Sequence, residues 1–138
     1  MSRHLLVPVD DSEASWQAFD HALTEGDADH VTALHVVDPT AGDYYHDDAE
    51  RKPVQRSKSI RDAARARFEA AERPANQTFE FVEVTGRPAP SILTFIEGND
   101  VDAVVMGSRG RTGISRVLLG SVAESVVRRS PVPVTIVR

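Results

Sequence analysis

The 138-residue chain has no cysteine, which excludes disulfides, thiolate metal sites and a cysteine nucleophile, and suits a reducing compartment. Lysine is almost as scarce, occurring only at Lys52 and Lys58 among many arginines and aspartates. Long apolar runs are missing too. The one nearest the start, residues 5–9, is interrupted by Pro8 and followed by Asp10 and Asp11. It fits neither a signal segment nor a membrane span, so a cytoplasmic location is expected. The formal net charge of -5 opposes nucleic acid and anionic membranes, and neither is expected as a partner. Residues 1–138 fit one domain that buries roughly 68% of the surface its unfolded form exposes.

What the chain does have is a glycine-spaced segment, Gly-Ser-Arg-Gly-Arg-Thr-Gly-Ile-Ser-Arg-Val-Leu-Leu-Gly-Ser, over residues 107–121. It begins where an apolar strand ends and runs into a helix. Backbone N–H groups converge on a polyphosphate only where side chains are absent or small, which Gly107, Gly110 and Gly120 provide. Arg109, Arg111 and Arg116 make the segment a basic spot on an acidic molecule. Ser121 to Glu124 has the Ser-x-x-Glu form of a capping box, so Ser121 is expected to cap a helix over 122–129 whose free N–H groups face the loop.

Along the chain, residues 4–9 read as a strand, and Asp10, Asp11 and Ser12 offer turn and cap chemistry before a helix over 13–24 that buries Trp16, Phe19 and Leu23. Gly26 ends it. Residues 31–37 are apolar on both faces, which predicts a central strand, with His35 as a hydrogen-bonded core histidine. Residues 38–53 read as a polar, acidic loop; His46 among its aspartates matches no metal-ligand spacing. A long amphipathic helix over 55–72 carries Ile60, Ala64, Phe68 and Ala71 on one stripe. Residues 78–84 alternate with Glu80 and Glu83, as an edge strand does. Pro88 and Pro90 start a helix that Gly98 stops, residues 102–106 form a second strand apolar on both faces, and residues 132–137, with Pro133, form a last strand at an edge.

Five strands with helical crossovers predict a three-layer α/β sandwich with a parallel sheet. Buried strands one, two and four with edge strands three and five suit the Rossmann-like order 3-2-1-4-5. In that order strands one and four meet at the switch point, and ligands bind beyond their carboxyl ends. Asp10 follows strand one and Gly107 ends strand four, so two separately read features converge on one crevice.

These residues resemble the universal stress protein family in its ATP-binding branch, over essentially the whole chain. The family's Gly-x2-Gly-x9-Gly-Ser/Thr motif is filled by Gly107, Gly110, Gly120 and Ser121. The segments Val-Pro-Val-Asp-Asp-Ser at 7–12, His-Val-Val-Asp at 35–38, Val-Met-Gly at 105–107 and Pro-Val-Pro-Val at 131–134 are similar to family segments as well. The resemblance implies that Asp10 contacts the ribose or adenine side of ATP, with Pro8 and Val9 on the same wall. It also implies that Val36 meets the adenine through its backbone, that Met106 packs on the base, and that the Gly107–Gly110 turn approaches the phosphates. Gly120, Ser121 and Val122 would hold the terminal phosphate. The roles of Arg109 and Arg111 rest on their charge alone.

No carboxylate or histidine lies in the glycine loop to activate a water, which points to nucleotide binding and sensing, with magnesium accompanying the ATP and at most slow turnover or self-phosphorylation. A homodimer through the last strand is the expected assembly. The alternative is a ligand-free dimeric interaction module of the same fold, whose glycine loop is only a tight turn. A phosphate-accepting receiver domain fits poorly, because Val84-Thr85-Gly86 stands where that fold needs an acceptor aspartate. P-loop and dinucleotide motifs are absent from the chain.

Overall fold

Strands with apolar side chains on both faces lie inside the sheet because only helices on either side can cover them. The computed structural model describes residues 2–40, 53–108 and 120–138. In it, β1 (His4–Pro8), β2 (His30–Val37) and β4 (Ala103–Gly107) are the inner strands, while β3 (Thr78–Thr85) and β5 (Val134–Val137) are the edges. The order is β3-β2-β1-β4-β5 and every described pair is parallel, as expected from the sequence. Among the described residues four helices connect the strands: α1 (Glu13–Thr24), α2 (Pro53–Ala70), α3 (Pro88–Gly98) and α4 (Ser121–Arg129).

The alternation of side chains along each strand sorts them into two cores. Leu5, Val7, Val31, Ala33, Ala103 and Val105 meet Trp16, Phe19, Ala22 and Leu23 of α1 and Ile60 and Ala64 of α2. On the other face, Leu6, Leu34, Val104 and Met106 meet Ile92 and Ile96 of α3 and Ala123 and Val126 of α4. Full burial of a side chain such as Phe19 or Leu6 contributes about 1.5–3 kcal/mol, so these two layers hold the strands in register. Edge strand β3 gives Phe79 and Phe81 to the first core and Val82 and Val84 to the second, while Glu80 and Glu83 remain exposed. Arg65, Arg67 and Arg73 cover the rim of the first core by lying over the rings of Phe79, Trp16 and Phe68.

Helix α1 starts where its sequence says it should. Ser12 is the N-cap, its Oγ accepting from the Ser15 N–H at 3.1 Å, and the helix stops before Gly26. Gly26 is needed there for space, since a Cβ would stand 2.5 Å from Leu5 Cδ1 and 2.7 Å from the Ala22 carbonyl oxygen.

Two expectations are corrected. The last strand begins at Val134, not at residue 132, because Pro131 turns the chain and Ser130 Oγ ties the turn through the N–H and carbonyl of Val132. Pairing with β4 starts at the Pro133 carbonyl, which accepts from the Val104 N–H at 2.9 Å. The cap of α4 is Gly120, and Ser121 is the first helical residue with no capping hydrogen bond. Glu124 does not close a capping box either; its carboxylate pairs with Arg128 one turn on, at 2.6 Å. Glycine and serine are both good N-caps, and a tertiary bond decides between them: the Gly120 N–H donates to the Ser108 carbonyl at 2.7 Å, holding Gly120 in extended geometry.

Candidate functional site

The carboxyl ends of β1 and β4 lie side by side, since Leu5 pairs with Ala103 and Leu6 with Val104. A dense turn follows β1. The Val9 N–H donates to the Leu34 carbonyl at 2.9 Å, and the Val9 carbonyl lies 3.1 Å from Nδ1 of buried His35. Pairing that nitrogen with a carbonyl makes it the N–H of the ring, so His35 fixes the exit of β1 from beneath. Asp10 then accepts the Ser12 N–H at 3.0 Å and donates its own N–H to Ser15 Oγ at 3.3 Å. Asp11 takes the left-handed conformation, φ 69°, which aspartate tolerates, and its carboxylate accepts from Trp16 Nε1 at 3.1 Å. Asp10 therefore sits on a turn anchored to the core at both ends.

At the end of β4, Gly107 packs directly on the first turn of α1. A Cβ there would lie 2.6 Å from the carbonyl carbon and oxygen of Ala14, so the absent side chain lets α1 close over the strand. Beyond it, the Ser108 N–H donates to the Val137 carbonyl at 3.2 Å, and the Ser108 carbonyl receives Gly120. Residues 108 and 120 are thus tied together. Arg109 and Gly110, together with Arg111 and Arg116, lie outside the described residues, as does His46.

Helix α4 begins where Gly120 meets Ser108. The Glu124 N–H is the first to bond within the helix, to the Gly120 carbonyl at 2.9 Å, so among the described residues the N–H groups of Ser121, Val122 and Ala123 have no acceptor. They carry the positive end of the helix dipole, which favours an anion. The Ser121 side chain is exposed beside them.

The strand alternation brings some of the expected residues together. Val36 and Met106 face the second core, on the α3 and α4 side, and Pro8 shares that face by its position in β1. Val122 packs against the same core. Val9 is not with them: its side chain is buried in the first core, on the opposite face, and both its backbone groups are engaged. Among the described residues no three histidine, aspartate or glutamate side chains are placed to hold a metal ion.

The model of the Universal stress protein family matches residues 1–138. The chain belongs to the universal stress protein family. A universal stress protein of Methanocaldococcus jannaschii is 31% identical over 142 residues, covering 99% of this chain and 82% of that protein. The solved universal stress protein from Lactobacillus plantarum superposes with a TM-score of 0.79 at 28% identity, covering 99% of this chain and 98% of its own. Another universal stress protein, solved in complex with cAMP, superposes at 0.72 with 25% identity, covering 99% and 97%.

Sequence reasoning missed one cluster in this universal stress protein. His4 and His30 stand opposite each other at the amino-terminal end of the sheet, with ring centroids 4.8 Å apart. Nothing in the spacing of residues 4 and 30 marks them as neighbours. Only the β1–β2 register does.

Proposed function

We propose that this universal stress protein binds an adenine nucleotide, ATP with magnesium, in the crevice beyond β1 and β4, and acts as a cytoplasmic stress-response sensor through binding rather than catalysis. The observation that carries the reading is the 2.7 Å bond from the Gly120 N–H to the Ser108 carbonyl, which ties the start of α4 to the end of β4. It supports an anion site at the N–H groups of Ser121, Val122 and Ala123, which have no acceptor among the described residues. Ser121, as the first helical residue rather than the cap, keeps its hydroxyl available to the same anion. Pro8, Val36 and Met106 supply an apolar face for a base, and Asp10, held by Ser12, supplies a fixed carboxylate for a ribose hydroxyl. The neighbour solved with cAMP supports this class of ligand.

In this reading Asp10 is held by the Ser12 N–H and turned to the ribose, and Glu124 is paired with Arg128, which favours retention of ATP over its hydrolysis. The proposed assembly is a homodimer through β5. The carbonyls of Pro133 and Val137 accept from Val104 of β4 and from Ser108 just beyond it, so by alternation Val134 and Ile136 present their backbone groups to the open edge. That edge also suits a ligand-free dimeric module, the second reading. Denaturing the purified protein and separating what it releases by chromatography decides between them. Adenine nucleotide near one equivalent per chain supports the proposal, whereas protein that releases none and takes up none when incubated with ATP and magnesium supports the module.

A further inference from the structure

The far end of the sheet, away from the nucleotide crevice, holds a chain of hydrogen bonds that crosses three strands. His4 of β1 pairs in register with His30 of β2, and His30 with Thr78 of β3. Between the two rings lies the hydroxyl of Thr32, a fully buried residue, 2.7 Å from His4 Nε2 and 3.4 Å from His30 Nε2. Thr78 Oγ1 is 2.6 Å from His30 Nδ1. Backbone groups at Asn99 and Asp100 also favour the charged form of the His4 ring.

These partners set a limit on protons. With both rings neutral, one arrangement satisfies the relay: Thr32 donates to His4 Nε2, His30 Nε2–H donates to Thr32, and Thr78 donates to His30 Nδ1. One added proton on His30 is accommodated. Thr78 turns its hydroxyl toward the Asp29 carbonyl, 3.4 Å away, and exposed Glu80 lies 3.8 Å from His30 Nε2 to balance the charge. A second proton, on His4, leaves the Thr32 oxygen facing two N–H donors. The hydroxyl hydrogen of fully buried Thr32 then has no acceptor among its neighbours, and two cationic rings stand 4.8 Å apart.

We propose that His4 and His30 form a proton-counting joint at the amino-terminal foot of the sheet, in which the Thr32 relay accepts one proton and is broken by two, so that acidification loosens the junction of β1 with β2. The charged groups around it come from each neighbouring element. Asp102, ahead of β4, accepts the His4 N–H at 2.7 Å; Asp29, ahead of β2, accepts the Arg3 N–H at 2.6 Å; and Glu80 flanks His30 from β3. On the α3 side the joint meets the backbone of Asn99 and Asp100, and Glu97 near the end of that helix is exposed. Burial first, and then the charge of His30, hold His4 below the ordinary histidine range, against the opposing pull of the two backbone groups and Asp102. The unfolded chain therefore takes this proton first, so the stability in question is present above the ordinary histidine value and is lost as pH falls through it.

The test is a ring C–H titration by NMR with His30→Gln alongside the unaltered protein. His4 should titrate at higher pH in His30→Gln, and in the unaltered protein its curve should bend twice because it feels its neighbour. An unshifted midpoint in the variant overturns the proposal. Should the variant not fold, two independent single-site curves in the unaltered protein overturn it equally. Loosening is read from amide exchange corrected for intrinsic rates. Protection at His30 and Asp102 should fall as pH drops below the ordinary histidine value, by at most about tenfold per pH unit, while Leu34 keeps its own. Uniform loss along β2, or none, contradicts a local joint.

Discussion

Replacing Ser121 by alanine separates two roles that the Ser-x-x-Glu pattern makes look like one. If the hydroxyl capped α4, its loss would cost about 1 kcal/mol, which for a chain of this length lowers the thermal midpoint by about 3 °C. The structure gives the cap to Gly120 and leaves Ser121 in the first helical turn, where alanine is at least as good a helix former. Ser121→Ala should therefore leave the midpoint within about 1 °C of the parent, as most exposed substitutions do. Binding should respond differently. A hydrogen bond to a charged phosphate contributes roughly 1.5–3 kcal/mol, so ATP affinity should fall about tenfold to hundredfold. Calorimetric unfolding and ATP titration on the same preparation measure both. A midpoint lowered by several degrees with unchanged affinity would make the serine a cap and refute the reasoning.

Gly107→Ala places a methyl 2.6 Å from the backbone of Ala14, so α1 must move. Overpacking of this kind costs about 1–3 kcal/mol, read as a lower denaturant midpoint at unchanged slope, and an unaltered midpoint would mean that α1 does not close on β4. Thr135→Lys changes an exposed side chain on β5, so a dimer joined there should dissociate at severalfold lower dilution by light scattering, with the thermal midpoint of the monomer kept. Ile136 is a poorer choice because it packs against the second core and its replacement by lysine would weaken fold and assembly together. A parent protein that scatters as a monomer removes the edge-pairing idea.

The sheet order was legible because burial on one or both faces is written into each strand. Glu80 and Glu83 mark β3 as an edge, Pro133 marks β5, and the apolar runs at 31–37 and 102–106 mark the interior. Element ends were less legible. Asp102 reads as the first residue of β4, yet its carboxylate is used to hold the His4 N–H, a bond between residues 98 positions apart that no local pattern announces. The same holds for the cap of α4, where a contact with Ser108 chose between two acceptable residues. Val9 was read on one wall with Pro8, although strand alternation sends the two side chains to opposite faces. The histidine joint was hidden most completely, since it exists only through pairing between strands. The roles expected of Arg109 and Gly110 in the glycine loop lie outside the described residues.

The central claim is that the start of α4, tied to the end of β4 through Gly120 and Ser108, reads phosphates. Titration calorimetry with ATP and with AMP, each in the presence of magnesium, tests it most directly. ATP should bind at least about tenfold more tightly than AMP if, as proposed, the terminal phosphates are what the start of α4 and the Ser121 hydroxyl hold. Equal affinities, or no heat from either nucleotide with protein freed of any bound ligand, would contradict the account.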